Sequence, residues 1–323
     1  MFLYINFPSW IHDQIFPNVK YLSILRWYGL MYLFAFATAY FLLQKLRKEG
    51  ALDSPEYKAT EDDVYSFIFT GILFLLIGAR IFSTLIYDTS GLYKAKPWLI
   101  FWPFNANGKF TGLAGMSYHG GFVGGLLGMI IWCKIKKQPV LKWVDAMACA
   151  IPLGYTFGRL GNFMNGELYG RITTMPWGIV FPAAERFSAK LPWVKEFAAQ
   201  IGMELPASGL VNLPRHPSQF YEAFFEGIVL WLILWTLRKH KKFDGMLTAV
   251  YAGGYGLMRF FIEYFREPDA DLGYRIAKDA SAPIYTNTSL LNFSTGQILC
   301  FLMMTFAVIC AIIGYRLSKK RKN

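Results

Sequence analysis

Long apolar runs recur along this chain with short basic clusters between them, and that alternation limits its fold more than any other feature. The runs lie at about Leu22–Leu43, Val64–Tyr87, Gly115–Cys133, Trp143–Gly158, Phe220–Leu237, Gly245–Phe265 and Phe293–Tyr315. A hydrocarbon core of ~30 Å takes roughly 20 helical residues to cross, and in lipid the backbone must satisfy its own hydrogen bonds. The expected fold is an all-α integral membrane protein of about seven transmembrane helices. Composition agrees, because 54% hydrophobic residues against 17% charged is the balance of a membrane chain. The Trp143–Gly158 run is short for a span unless its helix continues into the glycine-rich stretch that follows.

A formal net charge of +12 raises the question of nucleic acid, and the placement of the charge argues against it. Lys45–Lys58, Lys134–Lys142, Arg238–Lys242 and Arg316–Lys322 together hold 17 of the 33 basic residues, and each cluster follows an odd-numbered run. The positive-inside rule puts all four in the cytoplasm, with the N-terminus outside and the C-terminus inside. Two outward connections exceed simple turns, at about Asp88–Ala114 and Arg159–Pro217, and the second reads as a small extracytoplasmic lobe. A third, about Arg266–Asn292, carries Glu267-Pro-Asp-Ala-Asp271. Residues 1–323 are expected to form one polytopic membrane domain, with the lobe at about 159–217. Segment Phe2–Phe16 reads as interfacial. Cys133, Cys149, Cys300 and Cys310 lack metal-ligand spacing and read as small packing residues.

Within this apolar frame, Gly158–Arg171 holds two arginines, two asparagines, a glutamate and four glycines in fourteen residues. Ionisable groups in a bilayer are costly and mark sites that handle something polar. Arg159 offers a planar fork of donors suited to a phosphate, and Asn162 adds an amide. The alternative is small-residue helix packing with Arg159 snorkelling to the interface. His119 opens the third run and suits proton transfer or orientation, against the plainer reading of a histidine bonded to a carbonyl. Arg259 and Glu263 share a helical face at i,i+4, as a site or a structural ion pair. Glu222 and Glu226 repeat that spacing, with Arg80, Arg159 or Arg266 as partners. Asp145 reads as solvated or capping. At 1.5 Å per residue, Tyr28, Arg80, His119, Arg159, Glu222 and Arg259 all fall about 21–26 Å from the cytoplasmic end of their spans. A common depth on six helices implies one site in the outer leaflet.

Five blocks also resemble the bacterial prolipoprotein diacylglyceryl transferase family. They are Gly158-Arg-Leu-Gly-Asn-Phe-Met-Asn-Gly-Glu167, Met116-Ser-Tyr-His-Gly-Gly121, Arg26-Trp-Tyr-Gly-Leu-Met-Tyr32, Arg215-His-Pro-Ser-Gln-Phe-Tyr-Glu222 and Tyr255-Gly-Leu-Met-Arg-Phe-Phe-Ile-Glu-Tyr-Phe-Arg266. They cover nearly the whole chain in the family's order. Arg26 departs from the histidine of some members. The resemblance implies functional positions at Tyr28, His119, Arg159, Asn162, Glu167, Gly170, Arg259 and Glu263. Catalysis is expected at His119, Arg159, Arg259, Glu263 and Tyr28. Binding of phosphatidylglycerol is expected at Arg159, Asn162, Glu167, Gly170, Arg171 and Arg259.

The implied reaction moves the diacylglyceryl group of phosphatidylglycerol to the lipobox cysteine of a prolipoprotein, forming a thioether and releasing glycerol phosphate. It calls for no metal or organic cofactor and no nucleic acid. The implied setting is the bacterial cytoplasmic (inner) membrane, with the bilayer, the lipid and the lipobox peptide as partners. A transporter or scramblase would show internal repeats or broken helices at the midplane. An intramembrane protease would need a serine or an aspartate pair at depth. Neither pattern stands out.

Overall fold

The computed structural model describes residues 4–16, 19, 25–104, 115–268, 273–278 and 282–320. Ala114, Asp269, Asp271 and the start of the first apolar run lie outside the described residues. Helices form over all seven apolar runs. In chain order they are α1 (Trp27–Lys48), α2 (Glu61–Ile81), the short α3 (Leu92–Ala95), α4 (Tyr118–Ile135), α5 (Val140–Ala148) and α6 (Ile151–Met164). Next come α7 (Pro192–Ile201), α8 (Ser218–Glu222), α9 (Leu230–Leu237), α10 (Met246–Ile262) and α11 (Thr295–Lys320). Two π-helical stretches, Phe82–Tyr87 after α2 and Ala223–Val229 between α8 and α9, prolong their helices. Among the described residues, four helical stretches are long and apolar enough to cross a membrane: Trp27–Lys48, Glu61–Tyr87, Ser218–His240 and Thr295–Lys320.

The fourth run does continue into the glycine-rich stretch, but as two helices. Pro152 sits in the first turn of α6, where a missing N–H costs nothing, and the helix restarts there after a break at Cys149 and Ala150. The connections are not purely irregular. Strands β1 (Ile5–Asn6) and β2 (Ile179–Val180) pair in parallel, β3 (Arg186–Ser188) and β4 (Leu210–Asn212) pair antiparallel, and so do β5 (Tyr274–Ile276) and β6 (Phe293–Ser294). The all-α expectation therefore holds for the apolar runs, while the polar connections carry three small ribbons among the described residues.

The chain divides into two compact units, residues 1–39 with 148–323 and residues 40–147, the boundary falling inside α1. In the second unit, α2 and α4 touch backbone to backbone. A Cβ on Gly78 would meet the Gly120 carbonyl oxygen at 2.4 Å, and one on Gly124 would meet that of Phe74 at 2.2 Å. Only glycine allows that approach. Further along the pair, Phe67, Trp132 and Trp143 form an aromatic cluster with ring centroids 4.6–5.2 Å apart. Thr60 and Asp63 cap α2 reciprocally, each side chain taking the other's backbone N–H. Asp145 is buried at 1% exposure, so the expectation of a solvated residue there is corrected.

In the first unit, the segment between α6 and α8 has a core of its own. Ile172, Phe187, Val194 and Leu213 are buried together, with Trp193 and Tyr285 stacked 5.5 Å apart against them. A second cluster joins Ile179, Phe181 and Ala184 to Phe7, Phe163 and Tyr169. Arg215 is wholly buried, its guanidinium over the Tyr169 ring at 5.1 Å and bonded to Glu267. Cys133, Cys149 and Cys300 are buried free thiols, in keeping with packing roles.

Candidate active site

On α6, Tyr155, Arg159 and Asn162 follow the i, i+4, i+7 spacing that lines one helical face. Opposite them stand Glu222 and Glu226, one turn apart where α8 passes into its π-helical continuation. Such π segments often mark functional sites, because they re-aim side chains at the cost of regular hydrogen bonding. The contact is close because residue 227 is glycine, where a Cβ would lie 2.1 Å from the Thr156 hydroxyl oxygen. From α10 and its end come Arg259, Glu263 and Arg266.

Glu222, fully buried, is the hub. Its Oε2 lies 3.1 Å from Arg159 Nε and 2.7 Å from Arg259 Nη1, and its Oε1 is 3.5 Å from Arg266 Nε. Arg259 also reaches Glu263 through Nη2 at 3.2 Å and Glu226 through Nη1 at 3.8 Å. Arg266 Nη1 is 3.6 Å from Glu263. The Tyr155 hydroxyl donates to Glu226 and, at 3.2 Å, to Glu222, while its ring lies 4.6 Å beneath the Arg159 guanidinium. Glu263 is pinned by the Ser294 hydroxyl at 2.9 Å. Three arginines and three glutamates thus share a buried cluster of balanced charge, each group compensated where an isolated ion would cost several kcal/mol.

The glycine-rich stretch continues this network. Arg159 Nη1 donates to Asn162 Oδ1 at 3.2 Å, and Asn162 Nδ2 donates to Glu167 at 2.9 Å. Asn165 joins the same carboxylate at 3.3 Å, leaving Glu167 partly in the open. Gly170 sits where three segments cross. Its N–H donates to the His216 carbonyl at 2.8 Å, and a Cβ would lie 2.2 Å from the Phe265 carbonyl oxygen. Arg171 turns away from the carboxylates. It is buried, donating to the carbonyls of Arg266 (2.7 Å) and Thr286 (3.0 Å) and to the Tyr274 hydroxyl. Tyr28 packs beside Gly161, 3.2 Å from where a Cβ would be, and its hydroxyl is 3.2 Å from that of Tyr32.

His119 and Arg80 belong to the second unit. His119 is exposed in the first turn of α4, its Nδ1 2.9 Å from the Tyr87 hydroxyl at the end of the other π-helical stretch. Arg80 is buried and donates to the carbonyls of Ile100 and, at 3.1 Å, Gly115. Of the six residues placed at one depth, Arg159, Glu222 and Arg259 meet directly.

Sequence reasoning does not single out Tyr155 or Tyr87; it ranks Glu222 and Glu226 as supporting residues and names Arg266 only as one of their possible partners, whereas Glu222 is the hub. The spacing from Tyr155 to Arg159 was readable. That its hydroxyl reaches two carboxylates on another helix was not. Outside the spans, His216 has its ionisation pushed down to about 4 by burial and by the nearby charge of Arg171, and its Nδ1 lies 3.1 Å from the Tyr221 hydroxyl.

Comparison with known proteins adds a separate line. A sequence model described as prolipoprotein diacylglyceryl transferase matches residues 17–313. Among similar proteins, the phosphatidylglycerol–prolipoprotein diacylglyceryl transferase of Treponema denticola is 54% identical, covering 100% of this chain and 98% of that protein. The protein of the same description from Treponema pallidum is 52% identical over 94% of this chain and 92% of its own length. The one from Borrelia garinii is 43% identical over 99% and 97%.

Proposed function

The chain belongs to the prolipoprotein diacylglyceryl transferase family, and on that premise we propose that it transfers the diacylglyceryl group of phosphatidylglycerol to the cysteine thiol of a prolipoprotein lipobox. The observation that carries this reading is Arg159 and Arg259 converging on Glu222 inside the first unit. Such donors recognise a phosphodiester, and in a poorly hydrated site they act most strongly on charge that grows during reaction.

In the proposed step the thiolate sulfur attacks the glycerol carbon bearing the phosphate. A C–S bond forms, the C–O bond breaks, and its electron pair leaves on glycerol phosphate. Arg159 and Arg259 stabilise that oxyanion, Glu263 positions Arg259, and the link from Asn162 to Glu167 holds Arg159. A cysteine thiol of ordinary pKa, about 8.5, must lose its proton first. His119 is the residue proposed to accept or orient it, and the Tyr87 hydroxyl on its Nδ1 supports that role by holding the ring. Gly170 and Arg171 act as positioning residues, the first through close backbone approach and the second by clamping carbonyls beside the site. Tyr28 supports Gly161 next to Arg159.

The proposed setting is the bacterial inner membrane, crossed seven times as one polytopic domain. The lobe at about 159–217 and the N-terminus lie outside and the C-terminus in the cytoplasm. Basic side chains in the last turns of α1, α4 and α11 support this orientation. The deciding experiment incubates purified protein with labelled phosphatidylglycerol and a lipobox peptide. Thioether formation is expected. A cleaved peptide would point to a protease instead, and lipid or solute flux without transfer to a transporter.

A further inference from the structure

The charge balance of the cluster sets a condition on its ligand. Arg159, Arg259 and Arg266 face Glu222, Glu226 and Glu263, three charges of each sign, all with side chains at most 15% exposed. An entering phosphodiester brings one further negative charge to this buried cluster. Uncompensated charge in such a setting is strongly unfavourable, and a buried carboxylate relieves it most simply by binding a proton.

The three glutamates differ in how well they are held as anions. Glu222 has three arginines within 3.5 Å, and Glu263 has two arginines and the Ser294 hydroxyl. Glu226 is fully buried, and among the described residues its one ion pair is Arg259 at 3.8 Å. Its Oε1 accepts no hydrogen bond there, as is true of Glu222 Oε1 and Glu263 Oε2. Each of those two faces Arg266, at 3.5 and 3.6 Å, whereas Glu226 has only Arg259 at 3.8 Å and, on its other oxygen, the Tyr155 hydroxyl. The groups facing it are Tyr155 and Arg159 from α6, Glu222 on its own element, Arg259 from α10 and Cys300 from α11, with Tyr255 edge-on to Tyr155 at 6.0 Å. A lipid phosphate that draws on Arg259 and Arg159 weakens the one ion pair Glu226 has among the described residues.

We propose that Glu226 takes up one proton from solvent when an anionic phospholipid headgroup enters the arginine cluster, and gives it back when the anion leaves. The carboxylate becomes a carboxylic acid whose O–H donates to the Tyr155 oxygen, and Tyr155 turns its own single O–H from Glu226 wholly onto Glu222 Oε2. Donor and acceptor counts stay balanced, since a tyrosine hydroxyl serves as both. Glu226 is a positioning residue in this scheme, acting through Tyr155 and Arg259.

This inference rests on the proposed function and deepens it. The test titrates the detergent-purified full chain with dihexanoyl phosphatidylglycerol by calorimetry at pH 8, in two buffers of different ionisation enthalpy. About one proton absorbed per lipid is expected, with affinity weakening about tenfold per pH unit on the alkaline side, as for one linked proton. Dihexanoyl phosphatidylcholine, whose headgroup is neutral overall, should bind without proton uptake if it binds at all. E226Q should bind phosphatidylglycerol with no proton uptake and a flat pH dependence. Identical heats in both buffers for the unmodified protein would overturn the inference, and so would an E226Q protein that absorbs its full proton. If E226Q does not fold, the two-buffer result on the unmodified protein decides. No phosphatidylglycerol binding at any pH would instead remove the proposed function, and this inference with it.

Discussion

At the scale of single residues, geometry separates the basic side chains more sharply than charge does. Arg159 uses Nε for Glu222 and Nη1 for Asn162, which a lysine cannot copy, because an ammonium lacks the fork. R159K should keep the net charge and fold yet lower thioether formation at least about 100-fold, the usual cost of losing one preorganised oxyanion donor. Retained activity would remove Arg159 from the mechanism. Arg171 has its donors on carbonyls, so its replacement should lower thermal stability along with activity. His216 supplies a pH test. Its ionisation is pushed down to about 4, against an ordinary value near 6.5, so the unfolded chain binds this proton more readily than the folded one. The stability His216 provides is fully present above about 6.5 and is lost as pH falls toward 4. Melting of the purified protein should therefore drop through that window by up to about 3 kcal/mol, and H216Q should flatten the drop. An unchanged profile in H216Q would rule the residue out as the source.

At the scale of elements, two π-helical stretches each end in or carry residues of the proposed machinery. One brings Tyr87 to His119, and the other carries Glu226 one turn past Glu222. The second depends on contact with α6 through Gly227. G227A would press a methyl onto Thr156, where the gap is 2.1 Å, and overpacking of this kind costs about 1–3 kcal/mol. The expected outcome is lower thermal stability and a lower kcat, with part of each regained in G227A/T156A. Equal kcat in G227A and the unmodified enzyme would show that this contact does not hold the glutamates in place. Neither π stretch was legible in the sequence, because a local pattern of apolar residues fits α and π registers alike.

At the scale of the whole molecule, the apolar runs and basic clusters argue for membrane insertion with one orientation. Single cysteines at exposed positions test it. In intact cells, a membrane-impermeant maleimide should modify S208C, on the segment between α7 and β4, and should leave K239C at the end of α9 unmodified. The reverse labelling would invert the topology. The seven apolar runs all form helix, yet among the described residues only four helical stretches reach spanning length and hydropathy. Of the others, α5, α6 and α10 are 9, 14 and 17 residues long and fall short on length, the first two being separated by the break before Pro152.

Membrane character, helix positions, charge asymmetry and the clustering of Arg159, Asn162 and Glu167 were determined by the chain itself, because each is set by neighbours a few residues apart. The i,i+4 pairing of Arg259 with Glu263 belongs to the same class. Three things rested on tertiary structure: that Glu222 gathers three arginines, that Tyr155 bridges two carboxylates, and that Arg171 serves loop carbonyls. Those partners lie about 40 to 115 positions apart in the sequence, and no local periodicity encodes which face of one helix meets which face of another.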